Sequence, residues 1–122
     1  MKVMCVVGVR PSIIKMAPVV MALEARGANV SLVHTGQHYD PNMSDVFFDD
    51  LDLRRPDVCL GVGSGLPGRQ TSRVLCGVEE AIRYLSPDRV VVVGDTNSTV
   101  GAALAAVKQS VPLAHVEAGL RS

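Results

Sequence analysis

Residues 3–8, VMCVVG, open the chain with five apolar residues that stop at a glycine. A short, continuous, valine-rich run of this kind is typical of a strand buried on both faces of a parallel sheet. Residues 89–94, RVVVVG, have the same form. Longer amphipathic segments lie between such runs, so strands and helices alternate along the chain. The pattern predicts an α/β fold built on a parallel sheet.

Working outward from residues 3–8, five strands and four helical crossovers can be assigned. The predicted strands cover 3–7, 30–33, 56–60, 89–93 and 111–116. The predicted helices are an opening helix from Pro11 and three further helices over 41–51, 69–85 and 96–108. Pro18 predicts a kink or a restart of the opening helix near Lys15, and Gly27 supplies its end. These elements fit a doubly wound sheet with strand order 3-2-1-4-5.

The composition is that of one globular domain. Of 122 residues, 48% are hydrophobic, and 12 Lys and Arg balance 12 Asp and Glu. With no net charge, two Tyr, two Phe and no Trp, the chain lacks the basic field and stacking surfaces of a nucleic-acid binder. No apolar stretch approaches the roughly 18 residues of a membrane span, and no signal peptide is evident. We expect neither a nucleic-acid nor a membrane partner, and a cytoplasmic location.

The cysteines and histidines do not form a recognisable site. Cys5 and Cys59 lie in apolar runs and are interpreted as buried, reduced thiols, and Cys76 has no C-x-x-C partner. The three histidines lack metal-ligand spacing, so no metal site is predicted. His115 is interpreted as a core or strand-end residue in preference to a catalyst.

Polar residues gather where the predicted strands end, which is where open parallel sheets bind ligands. Arg10 and Lys15 follow the first strand. Arg10 lies at a strand–helix turn, where backbone N–H groups and the helix dipole favour an anion, and Arg binds phosphate through two hydrogen bonds. The alternative interpretation is a pair of solvated basic residues. The chain itself stops at Ser122, inside this expected binding edge.

Two carboxylates follow neighbouring strands at the same edge. Asp95 and Glu117 can divide acid and base work if their surroundings differ. The competing interpretation of Asp95 is a helix N-cap, a role for which Thr96 and Ser98 also qualify. The glycine-rich residues 61–68, GVGSGLPG, follow the weakest strand and are interpreted as a mobile loop, since they fit neither a Walker loop nor a dinucleotide fingerprint.

Four ordered blocks carry a resemblance: GVRPSIIKMAP at 8–18, TGQHYD at 35–40, GDTNST at 94–99 and HVEAGLRS at 115–122. They resemble blocks of the UDP-N-acetylglucosamine 2-epimerases, and RQT at 69–71 matches a further one. The first block is similar to that family's G-T-R-P-E-x-I-K-M-A-P opening, with Val9 in place of Thr and Ser12 in place of Glu. The resemblance covers essentially the whole chain.

The resemblance implies the N-terminal, Rossmann-like half of a two-domain fold of the glycosyltransferase-B type. Residues 1–122 would form the first domain, with the second domain absent from this chain. The implied activity interconverts UDP-N-acetylglucosamine and UDP-N-acetylmannosamine by elimination and readdition of UDP, for precursors of cell-surface polysaccharides. It implies no metal and no other cofactor, and a homodimer when full length. The isolated chain is expected to be inactive.

The family's functional residues carry over onto matching positions. Asp95 and Glu117 match carboxylates of the acid/base machinery, and together with Arg10 and Lys15 they match residues that contact the nucleotide sugar. A second, regulatory nucleotide sugar would be bound by Gln37, His38, Arg69 and Gln70.

Two alternatives stay open: a hydrolysing epimerase that releases N-acetylmannosamine and UDP, and an inactive, truncated fragment that binds nucleotide sugars. A receiver-type signalling module is disfavoured, because Arg10 and Lys15 stand where its acidic, cation-binding cluster would be needed.

Overall fold

The computed structural model describes residues 1–36 and 54–117, and within them five parallel strands form one sheet. The strands are β1 (Lys2–Val7), β2 (Asn29–His34), β3 (Val58–Cys59), β4 (Arg89–Val93) and β5 (Leu113–Val116). Their order is β3-β2-β1-β4-β5. The predicted doubly wound parallel sheet and its strand order are therefore confirmed.

Three helices of the described residues connect these strands: α1 (Arg10–Ala25), α2 (Pro67–Leu85) and α3 (Asn97–Lys108). α1 packs on one face of the sheet, and α2 and α3 pack on the other. This follows from right-handed crossovers, because the chain moves one way along the sheet from β1 to β3 and the opposite way from β3 to β5. The predicted helix over 41–51 lies outside the described residues.

β1 divides its side chains between the two layers. Met4 and Val6 join the core beneath α2 and α3, whereas Val3, Cys5 and Val7 join the core beneath α1. All five are buried, which is why the run reads as continuously apolar in the sequence. None of the helices in the described ranges is long and apolar enough to cross a membrane.

The cysteines differ in their surroundings. Cys5 is a buried thiol as predicted, and burial raises its pKa to about 12, so it stays protonated and unreactive. Cys59 is exposed, so its predicted burial is wrong. The reason is that β3 is a two-residue strand at the edge of the sheet.

Of the kink or restart predicted near Lys15, the restart is wrong, because α1 is a single helix with Pro18 inside it. Pro11 occupies the first turn, where a missing N–H costs nothing. Gly27 ends the helix as predicted: its φ is 87°, its N–H donates to the Glu24 carbonyl at 3.0 Å, and the next N–H donates to the Leu23 carbonyl at 3.0 Å. This is a Schellman motif, which needs a left-handed residue after the helix.

α3 ends in the same motif with a serine at the left-handed position. Ser110 has a φ of 57°. Its N–H donates to the Val107 carbonyl at 3.0 Å, and the Val111 N–H donates to the Ala106 carbonyl at 2.9 Å. Ser110→Gly should raise the free energy of unfolding by about 1 kcal/mol, because the left-handed conformation strains a residue that carries a Cβ. Urea denaturation measures this.

The matched control reverses the change at the other helix end. Gly27→Ala should lower the free energy of unfolding by about 1 kcal/mol through backbone strain alone, since a Cβ there meets no atom within 4 Å. An unchanged or reduced stability of Ser110→Gly would contradict the strain argument.

Candidate active site

The turn between β1 and α1 is fixed by Ser12, one of the two positions where the opening block departs from the family pattern. Ser12 Oγ accepts hydrogen bonds from the N–H groups of Gly8 at 3.2 Å and Val9 at 3.1 Å, and donates to the Val9 carbonyl at 2.7 Å. This is the reach-back half of a capping box. Arg10 begins α1 here and is exposed. The serine therefore holds the turn while Arg10 faces solvent beside the helix N-terminus.

Gly8 lies where the ends of three strands crowd together beneath this turn. Thr35 follows β2 and Ser98 begins the α3 region after β4, and their hydroxyl oxygens are 2.7 Å apart in a buried hydrogen bond. A Cβ on Gly8 would overlap the Ser98 side chain and lie 2.6 Å from Thr35 Oγ1. Only glycine fits in this contact between the ends of β1, β2 and β4.

Lys15 and Glu117 meet directly, although 102 positions separate them in the sequence. Lys15 Nζ lies 2.9 Å from Glu117 Oε1 and donates a hydrogen bond to Oε2 at 3.1 Å. The lysine side chain is 50% exposed and the glutamate side chain 22% exposed, so the pair lies at the protein surface. Glu117 has a φ of 68°, a left-handed conformation that is unusual for a residue other than glycine.

Asp95 is exposed in the turn between β4 and α3. The N-cap of α3 is Thr96, whose Oγ1 accepts from the Thr99 N–H at 3.4 Å, so the interpretation of Asp95 as the cap is wrong. Across residues 1–36 and 54–117 the Asp95 side chain has no hydrogen-bond or ion-pair partner. A carboxylate that is not needed to cap the helix remains available for a ligand.

The strand register brings the two carboxylates to one edge. Val93 of β4 pairs with Val116 of β5, and the Gly94 N–H continues the ladder to the Val116 carbonyl at 3.2 Å. Asp95 and Glu117 therefore emerge from neighbouring strand ends. Arg10 and Lys15 lie on the first two turns of α1. The carboxyl-terminal edge of the sheet therefore carries two carboxylates and two cations.

The side chain of His115, on the edge strand β5, contacts the turn between β4 and α3. It is exposed on β5, and its Nε2 lies 2.6 Å from the Gly94 carbonyl in a hydrogen bond that ties the β4–α3 turn to the edge strand. The predicted core or strand-end position is thus a strand position facing solvent. Sequence reasoning missed this contact, and its only signal was the alternation of side chains along β5.

His34 is a buried histidine at the end of β2. Its Nδ1 accepts a hydrogen bond from the Gly36 N–H at 2.9 Å, which requires the neutral ring with its proton on Nε2. Burial lowers the pKa of His34 below its ordinary value of 6.5. The stability that neutral His34 contributes is therefore present above the unfolded pKa and is lost as the pH falls through the folded pKa.

We expect the free energy of unfolding to fall more steeply between about pH 7 and about pH 5 in the wild type than in His34→Asn, by up to about 1.4 kcal/mol per pH unit. Asn keeps an acceptor for the Gly36 N–H but does not titrate. Urea denaturation across this pH range gives both slopes, and equal slopes would contradict a titrating His34.

The glycine-rich segment is anchored at its start. The Val62 N–H donates to the Thr35 carbonyl at 2.8 Å and the Gly63 N–H to the Gly36 carbonyl at 2.7 Å, so residues 61–63 extend the β2 edge. The predicted loop is therefore hydrogen-bonded at its start to the residues that follow β2.

Of the four candidate regulatory residues, Gln37 and His38 lie outside the described residues. Arg69 is exposed in the first turn of α2. Gln70 is buried and bridges two elements: its Nε2 donates to the Gly63 carbonyl at 2.8 Å, and its Oε1 accepts from Asn97 Nδ2 at 2.8 Å. This bridge links the glycine-rich segment to the turn that carries Asp95.

A doubly wound parallel sheet whose strand ends carry polar side chains defines a class of protein: the open α/β domains, in which ligands bind at this edge. A model of the family described as UDP-N-acetylglucosamine 2-epimerase matches residues 21–122. The chain belongs to this family, as the four sequence blocks predicted.

Two curated relatives show how similar the chain is to individual members of the family. The chain is 47% identical to the UDP-2,3-diacetamido-2,3-dideoxy-D-glucuronate 2-epimerase of Pseudomonas aeruginosa, covering 100% of this chain and 35% of that protein. It is 45% identical to the UDP-N-acetylglucosamine 2-epimerase of Methanocaldococcus jannaschii, covering 100% of this chain and 33% of that protein. The chain therefore spans about a third of the length of the curated relatives it matches.

Two solved structures of the family share the fold of this chain over about a third of their own length. The Methanocaldococcus jannaschii enzyme in complex with UDP-GlcNAc and UDP superposes with a TM-score of 0.92 at 45% identity, over 100% of this chain and 34% of that chain. The Neisseria meningitidis enzyme bound to UDP-GlcNAc gives 0.88 at 34% identity, over 100% of this chain and 33% of that chain.

Proposed function

We propose that residues 1–122 are the N-terminal domain of a two-domain, non-hydrolysing UDP-N-acetylglucosamine 2-epimerase. The full-length protein would interconvert UDP-N-acetylglucosamine and UDP-N-acetylmannosamine in the cytoplasm, for cell-surface polysaccharide precursors. The observation that carries the proposal is the contact of Lys15 with Glu117, beside Asp95, at the strand edge of a chain whose relatives bind UDP-GlcNAc.

The chemistry requires a base and a stabilised leaving group. The proton on C2 of the sugar is not adjacent to a carbonyl, so simple enolisation is not available. In the proposed route a carboxylate takes the C2 proton, the C1–O bond breaks, UDP departs with the bonding electrons, and a C1–C2 double bond forms. UDP then adds back at C1 while C2 is protonated on its other face. Asp95 and Glu117 are proposed to move this proton.

The cations suit the departing diphosphate. Arg10 lies at the first position of α1, where the helix dipole adds to its charge. Lys15 is one turn further along and already contacts Glu117. We propose that Arg10 and Lys15 bind the phosphates, and that Lys15 also holds the Glu117 carboxylate in place. No metal or other cofactor is proposed.

A second candidate substrate deserves a parallel assay, because the Pseudomonas aeruginosa relative is as similar as the Methanocaldococcus jannaschii one. That substrate is UDP-2,3-diacetamido-2,3-dideoxy-D-glucuronate, whose sugar carries an additional carboxylate. The reaction type, epimerisation at C2, is the same for both.

Further proposals concern partners. The full-length protein is proposed to be a homodimer without nucleic-acid or membrane partners. A second nucleotide sugar is proposed to regulate it through Gln37, His38, Arg69 and Gln70, and the bridge from Gln70 to Asn97 supports a link between that position and the Asp95 turn.

The test uses the full-length protein with UDP-N-acetylglucosamine in D2O, followed by proton NMR. We expect UDP-N-acetylmannosamine with deuterium at C2 and no free N-acetylmannosamine. Free N-acetylmannosamine and UDP would instead establish the hydrolysing reaction. No exchange with either nucleotide sugar would overturn the proposal. The 122-residue chain alone is expected to show no exchange.

A further inference from the structure

The peptide group between Gly94 and Asp95 lies in a turn where the backbone has unusual freedom. Gly94 has a φ of 77°, in the left-handed region that glycine enters without strain. Because glycine has no Cβ, the peptide group that leads from it into Asp95 can rotate at little cost unless a partner holds it. The position of the Asp95 carboxylate therefore depends on what fixes this peptide group.

The hydroxyl group of Thr99 holds the two ends of the turn. Thr99 Oγ1 donates to the Val93 carbonyl at 2.8 Å, before the turn, and accepts from the Thr96 N–H at 3.2 Å, after it. Thr99 is buried in the first turn of α3, so both ends are attached to the core. Neither of these contacts reaches the peptide group between Gly94 and Asp95.

β5 holds Gly94 through both of its backbone polar groups. The Gly94 N–H donates to the Val116 carbonyl at 3.2 Å, and the Gly94 carbonyl oxygen lies 2.6 Å from His115 Nε2. A carbonyl oxygen can only accept, so Nε2 carries a proton and donates it. That carbonyl belongs to the same peptide group as the Asp95 N–H. The imidazole ring therefore fixes the peptide plane directly before Asp95.

The same strand carries the second carboxylate. His115 pairs with Val92 of β4, on the face of the sheet that packs against α2 and α3. Glu117 follows two residues later and contacts Lys15 of α1, which packs on the opposite face. β5 therefore determines the position of Glu117 directly, and that of Asp95 through His115.

We propose that His115 is a positioning residue for the reaction: its Nε2–H donates to the Gly94 carbonyl and thereby orients the Asp95 carboxylate toward the C2 proton of the nucleotide sugar. This rests on the proposed function, in which Asp95 and Glu117 move that proton. His115 acts through Asp95 and is assigned no contact with the sugar. A displacement of a reacting group by about 1 Å can cost about 10²-fold in rate, so a contact remote from the substrate can control turnover.

The first test compares two side chains of similar length at position 115 of the full-length protein, one with an N–H donor and one without. His115→Met should lower kcat for deuterium incorporation at C2 by about 10-fold with KM within about twofold, because a misplaced base affects the transition state more than binding. His115→Gln should keep kcat within about threefold of the wild type, because its amide donates to the Gly94 carbonyl. An unchanged kcat in His115→Met, or an equal loss in both variants, overturns the proposal.

Leu113→Ala is the matched control for the strand. Leu113 lies two residues before His115 on β5, is also exposed, and pairs with Val90 at the other end of the ladder. Its truncation weakens the packing of the same strand without touching Gly94, so its kcat should stay near that of the wild type. A loss as large as that of His115→Met would show a general effect of β5 and overturn the specific role of His115.

A double-mutant cycle tests whether His115 acts through Asp95. In the Asp95→Asn background, His115→Met should change turnover by less than about twofold, because two groups that serve one function have non-additive effects. A further loss of about 10-fold in the double variant overturns the proposal. Near-normal turnover of Asp95→Asn would contradict the proposed catalytic role of Asp95 itself. Normal turnover of His115→Met beside an impaired Asp95→Asn would overturn only the role of His115.

Discussion

Glu117→Gln should lower the turnover of UDP-N-acetylglucosamine by the full-length protein by about 10²-fold or more, the usual scale for losing a general acid or base. The amide keeps the size of the side chain but neither accepts the C2 proton nor forms an ion pair with Lys15, which contacts the carboxylate at 2.9 Å and 3.1 Å. Asp95→Asn should have an effect of similar size. The measurement is the initial rate of deuterium incorporation at C2.

Asp88→Asn is the matched control for these two variants. Asp88 is an exposed carboxylate that follows α2, and it accepts a hydrogen bond from the Lys2 N–H at 2.8 Å, at the start of β1 and away from the carboxyl ends of the strands. Its turnover should stay near that of the wild type. Near-normal turnover in Glu117→Gln or Asp95→Asn would remove that residue from the proposed catalytic set.

Gly8→Ala should lower the free energy of unfolding by about 3 kcal/mol, the upper end of what overpacking a well-packed site costs. The new Cβ overlaps the Ser98 side chain and lies 2.6 Å from Thr35 Oγ1. Both side chains are buried and hydrogen-bonded to each other, so they have little room to move. Urea denaturation measures the loss.

Two further variants separate the crowding from a general effect of replacing glycine. Gly68→Ala lies in the first turn of α2, where a Cβ meets no atom within 4 Å, and should be neutral or slightly stabilising. Ser98→Gly combined with Gly8→Ala should recover part of the lost stability. Equal denaturation midpoints for Gly8→Ala and the wild type would show that Gly8 is not tightly packed against Thr35 and Ser98.

Strands that are buried on both faces were predictable from the sequence, and strands at the edges were predictable only in part. The prediction for β4, residues 89–93, matches the structure because four consecutive valines leave no other interpretation. β5 was predicted from Val111 but begins at Leu113. The Val111 N–H is used to end α3, and Pro112 has no N–H to give to a ladder.

The site could be placed at the strand ends from the sequence, but its contacts could not. The carboxyl ends of parallel strands meet at one edge, so a polar residue after each apolar run could be assigned to that edge. The choice of Thr96 over Asp95 as the cap depends on a single backbone conformation. The contact between Lys15 and Glu117 depends on how far α1 lies from the end of β5, which no spacing along the chain records.

At Glu117, the stability of the protein conflicts with the retention of a carboxylate side chain. A left-handed φ of 68° costs free energy in every residue except glycine, so the native side chain is retained at the expense of stability. A screen that selected variants only for thermal resistance would accumulate glycine at position 117. Such a screen would return a hardier protein without its carboxylate, and an engineer seeking a robust catalyst should hold this position fixed.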